Sequence, residues 1–323
     1  MSKELVFGHQ NPDTDAIVAA MAFAYLQQQL GKDVEAVALG EPNEETSYAL
    51  RHFVASTPRV IKEAGSEVQS VMLVDHNEAQ QSVADIKDLT VTDVVDHHRI
   101  ANFETVSPLF YRAEPVGCTK TILLSMFNEN KIEIPAQLVG LMMSAIISDT
   151  LLMKSPTTTE KDRIAIKTLA EIADVDFESY GLEMLKVGTN LDDKSEAELI
   201  EADAKTFDMA GKKVRIDQVN TVDIEAVFKR QAAFEAAIEA DNKANGYDLF
   251  VLLVTDILNS NSEALVIGEP AEAFEKAFDV TLNNHRAQLA GVVSRKKQVV
   301  PQLTASILIA IKKIKSCGAL FFC

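Results

Sequence analysis

The sequence predicts an α/β fold: an N-terminal domain with a mainly parallel sheet flanked by helices, then a smaller C-terminal α/β domain. Three observations point there. Short β-branched runs alternate with helical patterns through the first half, the pattern of parallel strands joined by crossover helices. A polar stretch, "VGTNLDDKS" (187–195), breaks the periodicity. The chain's 323 residues are also more than one core usually organises.

Taken in order, "ELVFG" (4–8), "VEAVAL" (34–39), "SVMLVD" (70–75) and "VTDVVD" (91–96) read as strands, rich in Val and Leu and bounded by polar residues. Ile17, Met21, Ala24 and Tyr25 share one face of a helix that stops at Gly31, a good residue just past a helix end. Helices are expected over 43–55, 117–130, 135–147, 159–173 and 177–187. The first domain is thus 1–187, and 188–195 is a linker. Residues 196–323 form the second domain, with a helix over 195–203, a strand at 212–220, a long helix over 221–241, a strand at 248–257 and further short strands.

Composition narrows the function classes. Apolar residues make up 47% and charged residues 24%, an ordinary globular composition. The net charge of −17 argues against a protein that follows nucleic-acid phosphates by general electrostatics, though not against a local basic pocket for a small anion. Cys118, Cys317 and Cys323 show no CxxC spacing, which fits a reducing cytoplasm and leaves oxygen and nitrogen as metal ligands. The N-terminus lacks a signal-peptide core, and no apolar run approaches the roughly 20 residues of a membrane span.

Chemistry concentrates at the strand ends. The first strand runs into "HQNPDTD", with His9, Asp13 and Asp15; the third ends on Asp75 and His76; the fourth ends on Asp96, His97 and His98. An apolar helical segment, "LMMSAIISDT", ends on Asp149. Four of the six histidines fall in these clusters. Each piece alone has a plainer reading: Asp15 or Asp75 as a turn or cap, His76 as a buried neighbour, Asp96 as a partner orienting an imidazole, Asp149 as a helix-terminal residue. Recurrence carries the argument, because a parallel sheet gathers its strand ends, and ligands bind beyond them. Imidazoles and carboxylates without sulfur suit Mn²⁺, Co²⁺, Fe²⁺ or Mg²⁺. The carboxylates are too many for one ion. A bridged pair about 3.5–4 Å apart is the usual arrangement for phosphoryl substrates, with a shared hydroxide as nucleophile.

"VVDHHR" resembles the signature of the DHH phosphoesterase superfamily. The ordered set "GHQNPDTDA", "VDHNE", "VVDHHRIANFET", "EPVGCT", "AIISDTLLMKSPT" and "SRKKQ" is similar to the family II, manganese-dependent inorganic pyrophosphatases. The likeness runs from about residue 3 to about 304. It implies hydrolysis of pyrophosphate to two orthophosphates by a metal-bridged hydroxide, in a cleft between the domains, with two Mn²⁺ per site. Co²⁺ or Mg²⁺ could substitute, and further Mg²⁺ could enter with substrate. His9 and Asp13 would bind one metal and Asp15, His97 and Asp149 the other, with Asp75 bridging. His98 would act beside the substrate, while Lys205, Arg295 and Lys296 would grip its phosphates. The linker would be a hinge, and the likeness further implies a homodimer through the N-terminal domain.

Charge counting agrees. Asp13, Asp15, Asp75 and Asp149 bring four negative charges, which two divalent ions cancel. Lys205, Arg295 and Lys296 then face a ligand of about −4. Nucleotide-directed DHH enzymes carry a glycine-rich "GGGH"-like motif where this chain has "SRKKQ", and there are few aromatics to stack on bases. A related exopolyphosphatase would share the ligand set, and chain-length preference depends on pocket shape. A non-catalytic metal-dependent regulator would be expected to lose ligands, and all the matched positions are intact. The end of the chain, "ASILIAIKKIKSCGALFFC" (305–323), is more apolar than the family pattern; a helix packed on the second domain is expected over 305–315, and "CGALFFC" has no functional reading.

Overall fold

The structure, a computed structural model, describes residues 2–318, with side chains to residue 312. The last part of the "CGALFFC" tail, from 319, lies outside the described residues. The chain divides into two compact units, Met1–Gly188 and Thr189–Cys323.

The first unit runs β1 (Glu4–Phe7), α1 (Thr14–Gln29), β2 (Val34–Ala36), α2 (Glu44–His52), β3 (Ser70–Val74), β4 (Thr90–Asp96), β5 (Phe110–Ala113), α3 (Thr119–Asn130), α4 (Ala136–Thr150), α5 (Glu160–Ala173) and α6 (Phe177–Gly188). Its five strands are all parallel, in the order β2-β1-β3-β4-β5. Leu5, Phe7, Val71, Leu73, Val91 and Val94 bury one face of this sheet against Val37, Ile61 and Val83. Each such side chain contributes roughly 1.5–3 kcal/mol by leaving water. The edge strand β5 has no clear signature in the sequence, because "FYRA" is half exposed and sits in a polar stretch. Helix α1 departs from the one-sided reading: Val18, Ala22 and Leu26 are fully buried while Met21 and Tyr25 are only partly so. It is wedged between the sheet and α3 and α4, so its small residues pack on nearly every side.

The second unit contains α7 (Glu196–Leu199), β6 (Lys205–Met209), β7 (Lys212–Thr221), α8 (Ile224–Phe228), α9 (Gln231–Asn245), β8 (Leu249–Asp256), β9 (Asn261–Gly268), α10 (Ala271–Phe278), β10 (Arg286–Leu289) and α11 (Val300–Gly318). Its sheet, ordered β10-β9-β8-β7-β6, is antiparallel apart from the β7–β8 pair. Alternate residues of β8 serve two cores: Leu249, Val251 and Leu253 face α10 and α11, and Phe250, Leu252 and Val254 face α8 and α9. The helix expected at 195–203 closes after Leu199. The helix expected over 221–241 is two helices, parted at Arg230, whose guanidinium binds Glu196 and the carbonyls of Leu191 and Lys194. Leu303 and Ile307 enter the core, so the apolar tail begins as a helix packed on this unit. Among the described residues no helix is long and apolar enough to cross a membrane.

Asp217, on β7, is fully buried. Its Oδ1 accepts from the Asp203 amide at 3.2 Å, while Oδ2 has no hydrogen-bond partner among the described residues. Burial raises its pKa from 3.8 to about 6. Between those values the folded chain holds the proton and the unfolded chain releases it, so this group makes stability fall as pH rises. Asp217→Asn keeps the acceptor and removes the titration. Urea unfolding should show its advantage over the parent widening by about 1–3 kcal/mol from pH 4 to pH 7; parallel pH curves would show that Asp217 carries no such burden.

Candidate metal centre

Strands β1, β3 and β4 are neighbours in register, Phe7 beside Leu73 and Leu73 beside Val94, so the residues that follow them meet at one sheet edge. Gly8 allows the approach of α1: a Cβ there would lie 2.6 Å from the backbone of Ala16. Asp13 caps α1, its Oδ1 accepting from the Ala16 amide at 2.9 Å. Asp15 lies in the first turn and is buried. Asp75 directly follows β3 with φ of 59°, a left-handed conformation that costs a non-glycine residue free energy and recurs where function over-determines the backbone. Asp149 stands in the last turn of α4, which packs against α1. Three consecutive left-handed residues, Leu151, Leu152 and Met153 (φ 46°, 52° and 64°), end that helix abruptly.

Three groups of donors result; in one His98 stands with Asp75 and His97, and the other two form a pair of clusters. In one of that pair, His9 Nε2 lies 3.6 Å from both Asp13 Oδ2 and Asp75 Oδ2. In the other, His97 Nε2 lies 3.9 Å from Asp15 Oδ2 and 4.0 Å from Asp149 Oδ2. Asp75 joins them, since its Oδ1 is 3.3 Å from His97 Nε2. Within each cluster the candidate ligand atoms lie within 4.8 Å of one another. The imidazoles are oriented for coordination: His9 Nδ1 donates to the Gln10 carbonyl and His97 Nδ1 to the Val116 carbonyl, each at 2.9 Å. In the neutral rings that leaves Nε2 as the lone-pair nitrogen.

The electrostatics call for cations. Burial, reinforced by the charge of Asp15, pushes Asp75 up to about 7. Burial and the neighbouring carboxylates also raise Asp149 well above the carboxylate range, and its Oδ2 is buried without a hydrogen-bond partner among the described residues. Burial alone would lower His9 and His97, yet the surrounding carboxylates lift both to about 9. Protons here stand in for positive charge that the donor set favours, and all-oxygen-and-nitrogen donors suit a pair of hard or borderline divalent ions.

His98, half exposed, is held from behind. Its Nδ1 and its amide each lie 3.0 Å from Asp96 Oδ1, and Asn77 donates to Asp96 Oδ2 and to the Arg99 carbonyl. Asp96 therefore orients an imidazole and belongs to neither cluster. His76 also lies outside them: Nδ1 donates to the Val74 carbonyl and burial lowers its pKa to about 4.

The supporting groups include a stretch that the sequence offered only as part of the family resemblance, and Lys120, which it did not single out. "EPVGCTK" supplies a cradle at the start of α3, in which the Thr119 amide donates to Asp15 Oδ2 at 2.9 Å and the Thr119 hydroxyl to Asp75 Oδ1 at 3.0 Å. Cys118 Sγ contacts Asp15 Oδ1 at 3.1 Å. Lys120, fully buried, donates to the Asp15 carboxylate and carbonyl. Burial opposes it, but this ammonium, with His97, holds Asp15 well below the usual carboxylate range. Charge counting from the sequence omits that extra positive charge.

The basic residues belong to the second unit. Lys205 opens β6 and is exposed, and it pairs in register with Ile216. The Ile216 carbonyl accepts from Arg295 at 3.4 Å, so Arg295 binds at the end of the β6–β7 pair that Lys205 opens. The Arg295 guanidinium also binds the Asp203 carbonyl and, at 3.1 Å, its carboxylate. Arg295 and the exposed Lys296 open a single π-helical turn, Arg295–Val299, capped by Ser294; such turns recur at functional sites.

Residues 3–146 match the DHH family, N-terminal domain, and residues 182–306 match the DHHA2 domain. A Lactiplantibacillus plantarum protein named "Probable manganese-dependent inorganic pyrophosphatase" is 67% identical over 304 residues, covering 94% of this chain and 98% of its own. The chain belongs to the family II inorganic pyrophosphatases. An Enterococcus faecalis protein of the same name is 64% identical over 304 residues, covering 94% of this chain and 99% of its own. The crystal structure of a Methanococcus jannaschii protein assigned to family II inorganic pyrophosphatases aligns with a TM-score of 0.61 at 40% identity, covering 94% of this chain and 99% of that one.

Removing one partner of a buried ion pair typically costs about 3–5 kcal/mol, and loss of an outer partner of a ligand costs about 10–100-fold in metal affinity. Lys120→Met should therefore lower stability by roughly 3 kcal/mol in urea unfolding and weaken divalent-ion binding by at least about tenfold in calorimetry. Parental values for both would mean that Lys120 supports neither.

Proposed function

We propose that the chain hydrolyses inorganic pyrophosphate to two orthophosphates at a two-ion centre. The observation that carries this reading is Asp75, whose two oxygens face different imidazoles: Oδ2 faces His9 and Oδ1 faces His97. One set of donors is then His9, Asp13 and Asp75, and the other Asp15, His97, Asp149 and Asp75. Manganese, named for the relatives, suits these donors, and a bound pair would supply a water-derived nucleophile near neutral pH and neutralise phosphoryl charge.

The chain's own groups do the rest. Asp75, set in its strained backbone, holds both halves of the centre in one geometry. His98 has Nδ1 committed to Asp96, so its other nitrogen is free to donate to a phosphoryl or bridging oxygen as the leaving phosphate departs. Lys205, Arg295 and Lys296 bind phosphoryl oxygens; the planar guanidinium suits two-point contact, and charge-assisted bonds of this kind are the strong ones. Four aspartates face up to four positive charges from ions, and the three basic residues match the anionic ligand. The reading includes a hinge over 188–195, a homodimer through the first unit and a cytoplasmic location. The hinge and the homodimer rest on the family resemblance and the cytoplasmic location on the absence of cysteine pairing motifs; among the described residues β5 is an edge strand, which accords with self-association.

Orthophosphate release from pyrophosphate and tripolyphosphate, and nucleotide release from a dinucleotide, should be measured, with Mn²⁺ and Mg²⁺ compared. Turnover of pyrophosphate, abolished by chelation and restored by Mn²⁺, is the expected result; preference for the dinucleotide or the longer polyphosphate would overturn it. Asp15→Ala should lower activity by more than about a hundredfold, since a ligand matters more than its outer partners. Arg295→Ala should reduce kcat/KM for pyrophosphate by roughly tenfold to a hundredfold while leaving manganese affinity unchanged. Equal losses of metal affinity in both variants would remove Arg295 from the substrate role.

A further inference from the structure

Glu45 ties two of the segments that carry the candidate donors to the end of the first unit, though it belongs to neither donor cluster. It lies in the first turn of α2, where an acidic residue ordinarily faces solvent and favours the helix dipole. Here the side chain turns inward. Its Oε1 accepts from the Thr14 hydroxyl at 2.9 Å and from the Ser148 hydroxyl. Thr14 stands between Asp13 and Asp15, and Ser148 immediately precedes Asp149. One oxygen thus ties the start of α1 to the end of α4. Thr14 is fully buried and also contacts the Thr46 hydroxyl at 3.0 Å, so α2 holds it at two consecutive positions.

The third segment is the end of the first unit. Gly188, the last residue of α6 and of that unit, leaves room for the Glu45 side chain. A Cβ at Gly188 would lie 2.9 Å from both Cβ and Oε2 of Glu45 and 3.3 Å from its Cγ. The close atom at Cβ cannot swing away as a side-chain tip could, so an added methyl must displace the carboxylate or the helix end.

We propose that Glu45 is a positioning residue for the metal centre, holding the Asp13–Asp15 segment and Asp149 at a fixed separation, and that Gly188 lacks a side chain because Glu45 occupies its space. This rests on the two-ion reading and extends it to a residue that touches no ligand atom. It also places the junction of the two units against the group that spaces the ligands. A distortion at Gly188 therefore reaches the metal site through a single side chain.

The test is manganese binding to the full chain, by calorimetry and by the electron paramagnetic resonance signature of a spin-coupled pair, with metal-free melting recorded for each variant. Glu45→Ala should weaken binding by about 10–100-fold and replace the coupled-pair signal with that of isolated Mn²⁺. Glu45→Gln keeps the Oε1 acceptor and should stay within about threefold of the parent. Gly188→Ala should weaken binding about tenfold, although helix propensity alone favours alanine over glycine. In the Glu45→Ala background the same change should add nothing, the non-additivity expected of residues acting through one contact. Parental affinity and a coupled-pair signal in Glu45→Ala, or additive effects of the two changes, would overturn the proposal. If Glu45→Ala does not fold, loss of affinity in a folded Gly188→Ala with retention in Glu45→Gln supports it, and parental affinity in Gly188→Ala defeats it. A parent chain that binds no manganese would defeat the two-ion reading instead.

Discussion

The first unit is organised around a conflict: Asp15, Asp75 and Asp149 approach one another in a setting largely closed to water. Like charges at such distances raise one another's pKa, and burial deepens the effect. The fold relieves the conflict only in part. Lys120 neutralises one carboxylate from inside the protein, and the imidazoles of His9 and His97 answer others from the rim. What remains is a deficit of positive charge with its donors already aimed, and two divalent ions are the natural remedy.

That arrangement depends on features with no chemistry of their own. The parallel register of β1, β3 and β4 brings three strand ends to one edge. The left-handed backbone at Asp75 turns its carboxylate between two imidazoles, and the left-handed run that follows Asp149 stops α4 just beyond that carboxylate. The carbonyls of Gln10 and Val116 choose which imidazole nitrogen points inward. A site of this kind is specified as much by backbone groups as by the side chains that would touch an ion, so substitutions at its supporting positions are expected to weaken metal binding.

The donors are legible in the sequence because histidine and aspartate stand out at the ends of apolar strands, and a parallel sheet says where such ends go. The four longest-patterned strands of the first unit are legible for the same reason. The edge strand Phe110–Ala113 is not, since an exposed edge carries no clean alternation. Nor is β6, where "KTFDM" is mostly exposed. Lys120 and Glu45 escape notice on different grounds. Each sits in a helical first turn, where a charge is ordinarily solvated, and only tertiary packing turns them inward. The division of 221–241 into two helices is equally hidden, because a distant residue, Glu196, helps to secure Arg230 at the break.

All six donor residues lie between His9 and Asp149, within the first of the two units. During synthesis the whole ligand set leaves the ribosome before the second unit exists. A cation that binds the folded unit more tightly than the unfolded chain shifts that folding equilibrium by mass action. A metal held by these residues would act first as a folding ligand for the nascent chain, before any part in the reaction. Its supply in the cell would then govern how much enzyme matures, as well as how fast the mature enzyme turns over.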